Sequence, residues 1–185
     1  MQVKGTAIIV LPKFIEAAFG AEGLARWTAA LSSEARRIYN GAVMTSEWYP
    51  IKEAYLEPTA LMCELFYTGD VRGARALGRF SADYSLRGVY KAFVKLSSLS
   101  LFINRTAGIL QTYYKPCQAR VTLVEPGRAA LQITLFPLPS ELAEQRIAGW
   151  TERALEIHGK KGVEVSVPRS LARGDSCTEF AGSWT

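Results

Sequence analysis

Histidine occurs once, at position 158, and cysteine three times, at positions 63, 117 and 177. Any Ser-His-Asp or Cys-His arrangement, and any haem held by an imidazole, must therefore use His158. Gly159-Lys160-Lys161 follow it. That places His158 in the last turn of a helix, where a cation is favourable against the helix dipole without any further role. Cys177 lies near Asp175 and Glu179, and acidic neighbours raise a thiol pKa, the reverse of what a nucleophile needs. Cys63, among Leu61, Met62, Leu65 and Phe66, is expected in the core. Neither Cys-x-x-Cys nor a glycine-rich phosphate fingerprint is present, and Gly73, Gly78 and Gly88 do not follow a strand. Glu141, Glu144, Glu152 and Glu156 are expected on the polar side of their helix. Arg173-Gly174-Asp175 is read as a turn, because Gly and Asp supply turn geometry. No catalytic residue, metal site or cofactor is expected from these residues.

The aromatic residues are more informative. Trp48, Tyr49, Tyr84, Tyr90, Phe93, Tyr113 and Tyr114 fall in the same helical region as Arg87. An apolar pocket with one charged anchor is the usual composition of a small-molecule site, and a guanidinium suits a carboxylate or a phosphate. The candidate ligand-binding set is Trp48, Tyr49, Arg87, Tyr90, Phe93, Tyr113 and Tyr114. A core that simply contains aromatics accounts for the same residues equally well. The basic row Arg72, Arg75, Arg79, Arg87, Lys91 and Lys95 reads as a solvated face.

The elements that must position these residues divide near residue 116. Leu11 to Phe19 reads as a helix that stops at Gly20, and Leu24 to Leu31 as another. Glu34 to Tyr39 follows, with Ser32 or Ser33 as N-cap and Gly41 as terminator. Trp48-Tyr49-Pro50 opens the next segment, a helical stretch over 50–67 with Pro50 in its first turn and a break near Glu57 ahead of Pro58. Asp70 is an N-cap for a helix from Val71 to Leu96. Its glycines mark either breaks or places where another backbone packs closely. Ser97 to Tyr114 is a further apolar helix, ended by Pro116.

Beyond residue 116 the period changes. Val121 to Val124 and Leu131 to Leu135 flank Glu125-Pro126-Gly127-Arg128, a type II turn signature, which predicts an antiparallel hairpin. Ser140 is a plausible cap for a helix whose apolar stripe is Ala143, Ile147, Trp150, Ala154 and Ile157, closed by Gly159. Val163 to Val167 and Thr178 to Trp184 read as strands. The fold class is therefore α+β: an N-terminal helical region over 1–116, then β-β-α-β-β over 117–185. In it the helix of residues 140–158 covers one face of a small antiparallel sheet, in a single domain of 1–185.

Composition sets outer bounds. The chain has 185 residues, 49% hydrophobic and 21% charged, which excludes a disordered or collagen-like chain. The net charge of +5 is spread along the sequence rather than gathered in one patch, which argues against nucleic acid as partner. No stretch of about 18 apolar residues is present, so no membrane span is expected. Three widely spaced cysteines and no secretory signal fit reduced thiols and a cytoplasmic location.

Several segments, taken in order, resemble a family of uncharacterised bacterial proteins. They are Val3-Lys4-Gly5, Ser46 to Pro50, Gly78 to Ala82, Leu86 to Phe93, Tyr113-Tyr114, and Ala172 to Asp175 through Phe180 to Trp184. That family looks like a distant branch of a superfamily shared with 4-vinyl reductase domain proteins, haem-binding nitric oxide/oxygen sensors and subunits of the TRAPP vesicle-tethering complex. The resemblance implies the NO-signalling/Golgi-transport ligand-binding fold, with helices leading into a small antiparallel sheet. It also implies an apolar cavity, dimerisation through helices, and ligand binding or scaffolding more than catalysis. Two departures stand out. Related sequences carry a pair of cysteines around the final Gly-Asp turn, where this chain has Ser170 and Thr178. The haem sensors use an axial histidine with a Tyr-x-Ser-x-Arg motif downstream of it. Here Tyr84-Ser85-Leu86-Arg87 is one residue short and lies upstream of His158, so a haem sensor of that type is not expected.

The resulting expectation is a homodimeric sensor or carrier, not an enzyme. It would bind an apolar or amphipathic small molecule between the helices and the sheet, with Arg87 as anchor. The alternatives are a TRAPP-type interaction scaffold without a ligand and, third, an enzyme of tetrapyrrole or lipid metabolism.

Overall fold

The structure, a computed structural model, describes residues 1–86 and 98–185. Strand β1 (Gln2–Lys4) is the centre of a three-stranded sheet, antiparallel to β2 (Trp48–Pro50) and to β3 (Tyr114–Lys115). Val3, fully buried, pairs with Tyr49 on one side and Tyr114 on the other. Residues 48–50 are thus a strand. The helical run begins at Ile51, directly after Pro50, so the expected start near Pro50 is met within one residue while Trp48 and Tyr49 pair with the buried N-terminal strand.

The helices follow. Helix α1 (Gly5–Ile8) leads into α2 (Val10–Ala30), which bends at Gly20 (φ 72°), a conformation open to glycine at little cost. The expected stop at Gly20 is therefore a kink. Helix α3 (Ser33–Asn40) begins at Ser32, whose hydroxyl accepts from the Ala35 N–H. The expected break before Pro58 is absent. A π-helical turn (Lys52–Leu56) runs directly into α4 (Glu57–Tyr67). Pro58 lacks the N–H that would bond the Ala54 carbonyl, and the Tyr39 hydroxyl donates to that carbonyl instead, at 2.8 Å. Helix α5 (Arg72–Ser85) is started by Asp70, whose Oδ1 accepts from the Arg72 N–H at 2.7 Å. Helix α6 (Leu99–Tyr113) is capped by Ser98. The expected continuation of α5 toward Leu96, with Gly88, lies outside the described residues.

The remainder is the expected hairpin, helix and two strands. Strands β4 (Gln118–Glu125) and β5 (Arg128–Leu135) turn at Gly127 (φ 78°), and β6 (Glu164–Arg169) and β7 (Thr178–Ser183) complete a sheet of order β4-β5-β7-β6. Every neighbouring pair is antiparallel. Helix α7 (Glu141–His158) ends at Gly159 (φ 107°). Ser140 holds the cap position, but its side chain makes no capping bond. The α7 stripe residues Ala143, Ile147, Ala154 and Ile157 are buried with Phe180 and Val165 of the sheet. A second apolar cluster joins Leu11, Trp27, Met62 and Leu77 among α2, α4 and α5. The fold is α+β. No helix among the described residues is long and apolar enough to cross a membrane.

Helix α5 packs on α7 backbone to backbone. A β-carbon at Gly78 would lie 2.0 Å from the Arg146 carbonyl oxygen, and one at Gly149 would lie 2.1 Å from that of Arg75. Gly78 therefore marks a close backbone approach, not a break, and Gly73, also buried inside α5, leaves room for the Tyr67 ring rather than for another backbone. Arg75 and Arg79 do not form a solvated face. Arg75 pairs with Glu152 at 2.5 Å, Arg79 bridges Glu152 and Glu156, and Arg153 joins Asp83 to Glu156. Burial opposes ionisation of Glu156, but Arg153 and Arg79 outweigh it and lower the carboxyl pKa. Glu144, expected on the polar side, is 5% exposed. It accepts from the hydroxyls of Ser170 and Thr178, each at 2.6 Å, and from the Ala172 N–H. It clasps the loop between β6 and β7 onto α7.

Candidate functional site

A cavity of about 510 Å³ lies among the helices. Thr6, Ala7 and Val10 of α1 and α2 form one side, and Gly78, Ser81 and Tyr84 of α5 another. Thr106, Ile109, Leu110 and Tyr113 of α6, Tyr114 of β3, and Arg146, Ile147 and Trp150 of α7 close it, with Tyr55 from the π-helical turn. Helices of different sequence position meet here because their small residues allow it: at Gly78 the α5 backbone reaches α7 directly. The expected place for a cavity, between helices and sheet, is not where it lies. The described lining contains no residue of the four-stranded sheet.

Most walls are apolar, and most polar groups in them are spent. Thr6, Ser81 and Thr106 each donate a hydroxyl hydrogen bond to a backbone carbonyl, and Ser85 donates to the Ala82 carbonyl while accepting from the Trp150 indole. One region differs. Arg146 is 4% exposed. Its Nη1 donates to Thr59 Oγ1 and its Nη2 to the Ala7 carbonyl, both at 2.9 Å, and the guanidinium lies 3.8 Å from the centre of the Tyr55 ring. The Tyr55 and Tyr114 hydroxyls share a 2.8 Å hydrogen bond, with rings edge to face. Burial pushes the Tyr114 phenol pKa well above its ordinary value, against the pull of Arg146.

None of the ion pairs among the described residues includes Arg146. The segment outside them, residues 87–97, contains no Asp or Glu. A buried guanidinium without a carboxylate is costly unless something else compensates it. Here two hydrogen bonds and a tyrosine face do so in part.

Of the expected site residues, Tyr113 and Tyr114 line this cavity. Trp48 and Tyr49 are not in its described lining. Trp48 lies under the ammonium groups of Lys4 and Lys115, and the Tyr49 hydroxyl accepts from the Met44 N–H. Arg87, Tyr90 and Phe93 lie outside the described residues. Sequence reasoning missed Arg146 and Tyr55. For Arg146 a signal existed. It follows Ala143 by three residues and precedes Trp150 by four, so it falls on the apolar stripe of α7, where a charge is out of place. Tyr55 had no comparable signal.

No protein-family model matches the chain. No curated protein matches it. Solved structures do. An H-NOX protein from S. oneidensis in the Fe(II)NO ligation state is similar over 98% of this chain and 99% of its own, with TM-score 0.73 and 12% identity. The unliganded Fe(II) H-NOX protein from K. algicida covers 98% and 96%, with TM-score 0.69 and 9% identity. The S. oneidensis domain in the Fe(II)CO state covers 98% of both, with TM-score 0.66 and 13% identity. At such identities the likeness is one of fold. The fold is the one those sensor structures have; the reductase and tethering branches rest on sequence alone.

Those structures are named for iron ligation states, so the fit of a haem here can be tested on the donor set. The described cavity lining has no histidine, cysteine or methionine, and residues 87–97 contain none. His158 is not in the lining; its ring packs on Phe102, 5.0 Å between centroids. Tyr114 is a poor candidate for phenolate ligation, since burial pushes its phenol pKa well above the ordinary value. The residues present do not fit a haem held by an imidazole or thiolate.

Proposed function

We propose that this protein is a small-molecule-binding domain, a sensor or carrier, whose ligand is apolar or amphipathic and occupies the cavity among α1, α5, α6 and α7. The observation that carries the reading is the cavity itself: about 510 Å³ of space with mainly apolar walls inside the fold. That falls within the range of roughly 300–1,000 Å³ usual for small-molecule sites. Such a volume would have no use in a scaffold with a filled core, and the fold-level likeness to H-NOX structures favours a sensor. In this reading the whole chain, 1–185, acts as one binding unit, as a cytoplasmic homodimer.

The test is titration with the neutral apolar fluorophore N-phenyl-1-naphthylamine, followed by native mass spectrometry of protein purified from its own host. Saturable binding is expected, lost in Ile109→Trp, which fills the cavity. A protein that binds no apolar probe and carries no extra mass overturns the reading and moves the weight to an interaction scaffold. A bare monomer in the same spectrum overturns the homodimer.

A further inference from the structure

We propose that the ligand is an amphipathic monoanion, a carboxylate with an apolar body, and that Arg146 receives its head beside Tyr55 and Tyr114. This rests on the binding reading above and deepens it.

The argument is a count of donors and acceptors at one end of the cavity. A guanidinium has five N–H donors, and two of those of Arg146 are engaged, by Thr59 and the Ala7 carbonyl. Of the two phenol protons of Tyr55 and Tyr114, one lies between the oxygens; the other is a further donor. The hydroxyls of Thr6, Ser81 and Thr106 point their protons at backbone carbonyls. Those three hydroxyls keep only acceptor capacity, so the donors left at this end are the remaining N–H groups of Arg146 and one phenol, and no carboxylate in the described lining faces them. A group that fits it must accept several hydrogen bonds at once. Charge adds the second condition. Arg146 is buried, carries one positive charge, and has no carboxylate among its partners. It is the single charged residue in the described lining. One cation in an apolar site is matched by one anion; an alcohol or ester would leave the charge uncompensated. The planar fork of a guanidinium also matches a carboxylate in geometry. The apolar walls then take the body of the molecule.

The experiment compares dodecanoate with 1-dodecanol, equal in chain length and differing in charge, as displacers of N-phenyl-1-naphthylamine from the wild-type protein. Dodecanoate is expected to bind about 10- to 100-fold more tightly, the range for a charge-assisted hydrogen-bonded pair. In Arg146→Met the two should bind alike, and Tyr114→Phe should weaken dodecanoate more than dodecanol. Equal displacement by both on the wild type overturns the anionic head while leaving the apolar cavity reading intact, as does preference for the alcohol. Failure of the fluorophore and of both displacers overturns the cavity reading, and this inference with it. Should Arg146→Met not fold, the wild-type comparison decides alone.

Discussion

Gly78 sits on the main chain of Arg146: a β-carbon there would stand 2.0 Å from the Arg146 carbonyl oxygen, well inside contact distance. The residue that lets α5 touch α7 thus also fixes the height at which the buried Arg146 guanidinium, without a carboxylate partner among the described residues, enters the cavity. Gly149 repeats the contact against Arg75 at 2.1 Å. The crossing is closed by backbone, which has no rotamer with which to yield.

Gly78→Ala is therefore expected to destabilise strongly although alanine is the better helix former. The helices must separate, at a cost of about 3 kcal/mol, which lowers Tm by about 6–12 °C for a chain of this size. Thermal unfolding followed by circular dichroism checks it. A Tm equal to or above that of the wild type would falsify the close crossing.

Glu144 should behave as a structural carboxylate. Glu144→Ala leaves the buried hydroxyls of Ser170 and Thr178 and the Ala172 N–H without an acceptor. The expected loss is about 3 kcal/mol in urea unfolding. Amide exchange should rise first between Ser170 and Thr178, and unchanged exchange there would sink the clasp.

Acid should loosen the α5–α7 contact. Arg153 and Arg79 hold the Glu156 pKa below its ordinary 4.5. A lowered folded-state pKa means stability that is present above pH 4.5 and is lost as pH falls through the folded value. Glu156→Gln should cost stability at pH 7 and flatten the decline below pH 4.5. A variant that falls as steeply as the wild type in that window shows that other carboxylates carry the acid response.

Alkali should act through the tyrosines. Burial raises Tyr114 well above 10 and raises Tyr39 as well. The folded protein keeps protons that the unfolded chain releases, so stability falls as pH climbs past 10, by up to about 1.4 kcal/mol per pH unit for each such group. Tyr114→Phe should make that decline shallower, and phenolate absorbance should rise in two steps, the second coinciding with unfolding. A single step complete before unfolding would contradict the burial of both phenols.

Cys117 should be a slow nucleophile. Burial pushes its thiol up to about 11, so alkylation of the Cys63→Ser, Cys177→Ser background should accelerate about tenfold per pH unit from pH 7 to 9.5. A rate that levels off near pH 8.5 would mean an ordinary, solvated thiol.

Much of this was legible without coordinates, and the reason differs from element to element. The hairpin was written in the alternation of Leu131, Ile133 and Leu135 around Pro126-Gly127. Helix α7 was written in its stripe, and the starts of α3 and α5 in Ser32 and Asp70. These are local signals: period, turn chemistry and caps act over a few residues. Arg146 was legible in principle as a charge on an apolar stripe. Its neighbours in sequence, Gln145 and Glu144, disguised it as part of a polar run.

The rest depended on which surfaces meet. That Trp48–Pro50 forms a strand on β1 ahead of the helical run is decided by Val3, some 45 positions earlier. That Arg75 and Arg79 meet Glu152 and Glu156 rather than water is decided by the glycine crossing of two helices. Sequence by itself determined the α+β class, the order of elements and the turns, because those follow from short-range steric and hydrogen-bond preferences. Only the tertiary structure decided that small residues at the crossing leave a cavity among the helices. It alone set a buried cation on that cavity's wall with two tyrosine hydroxyls beside it, since burial and charge compensation are properties of neighbours in space.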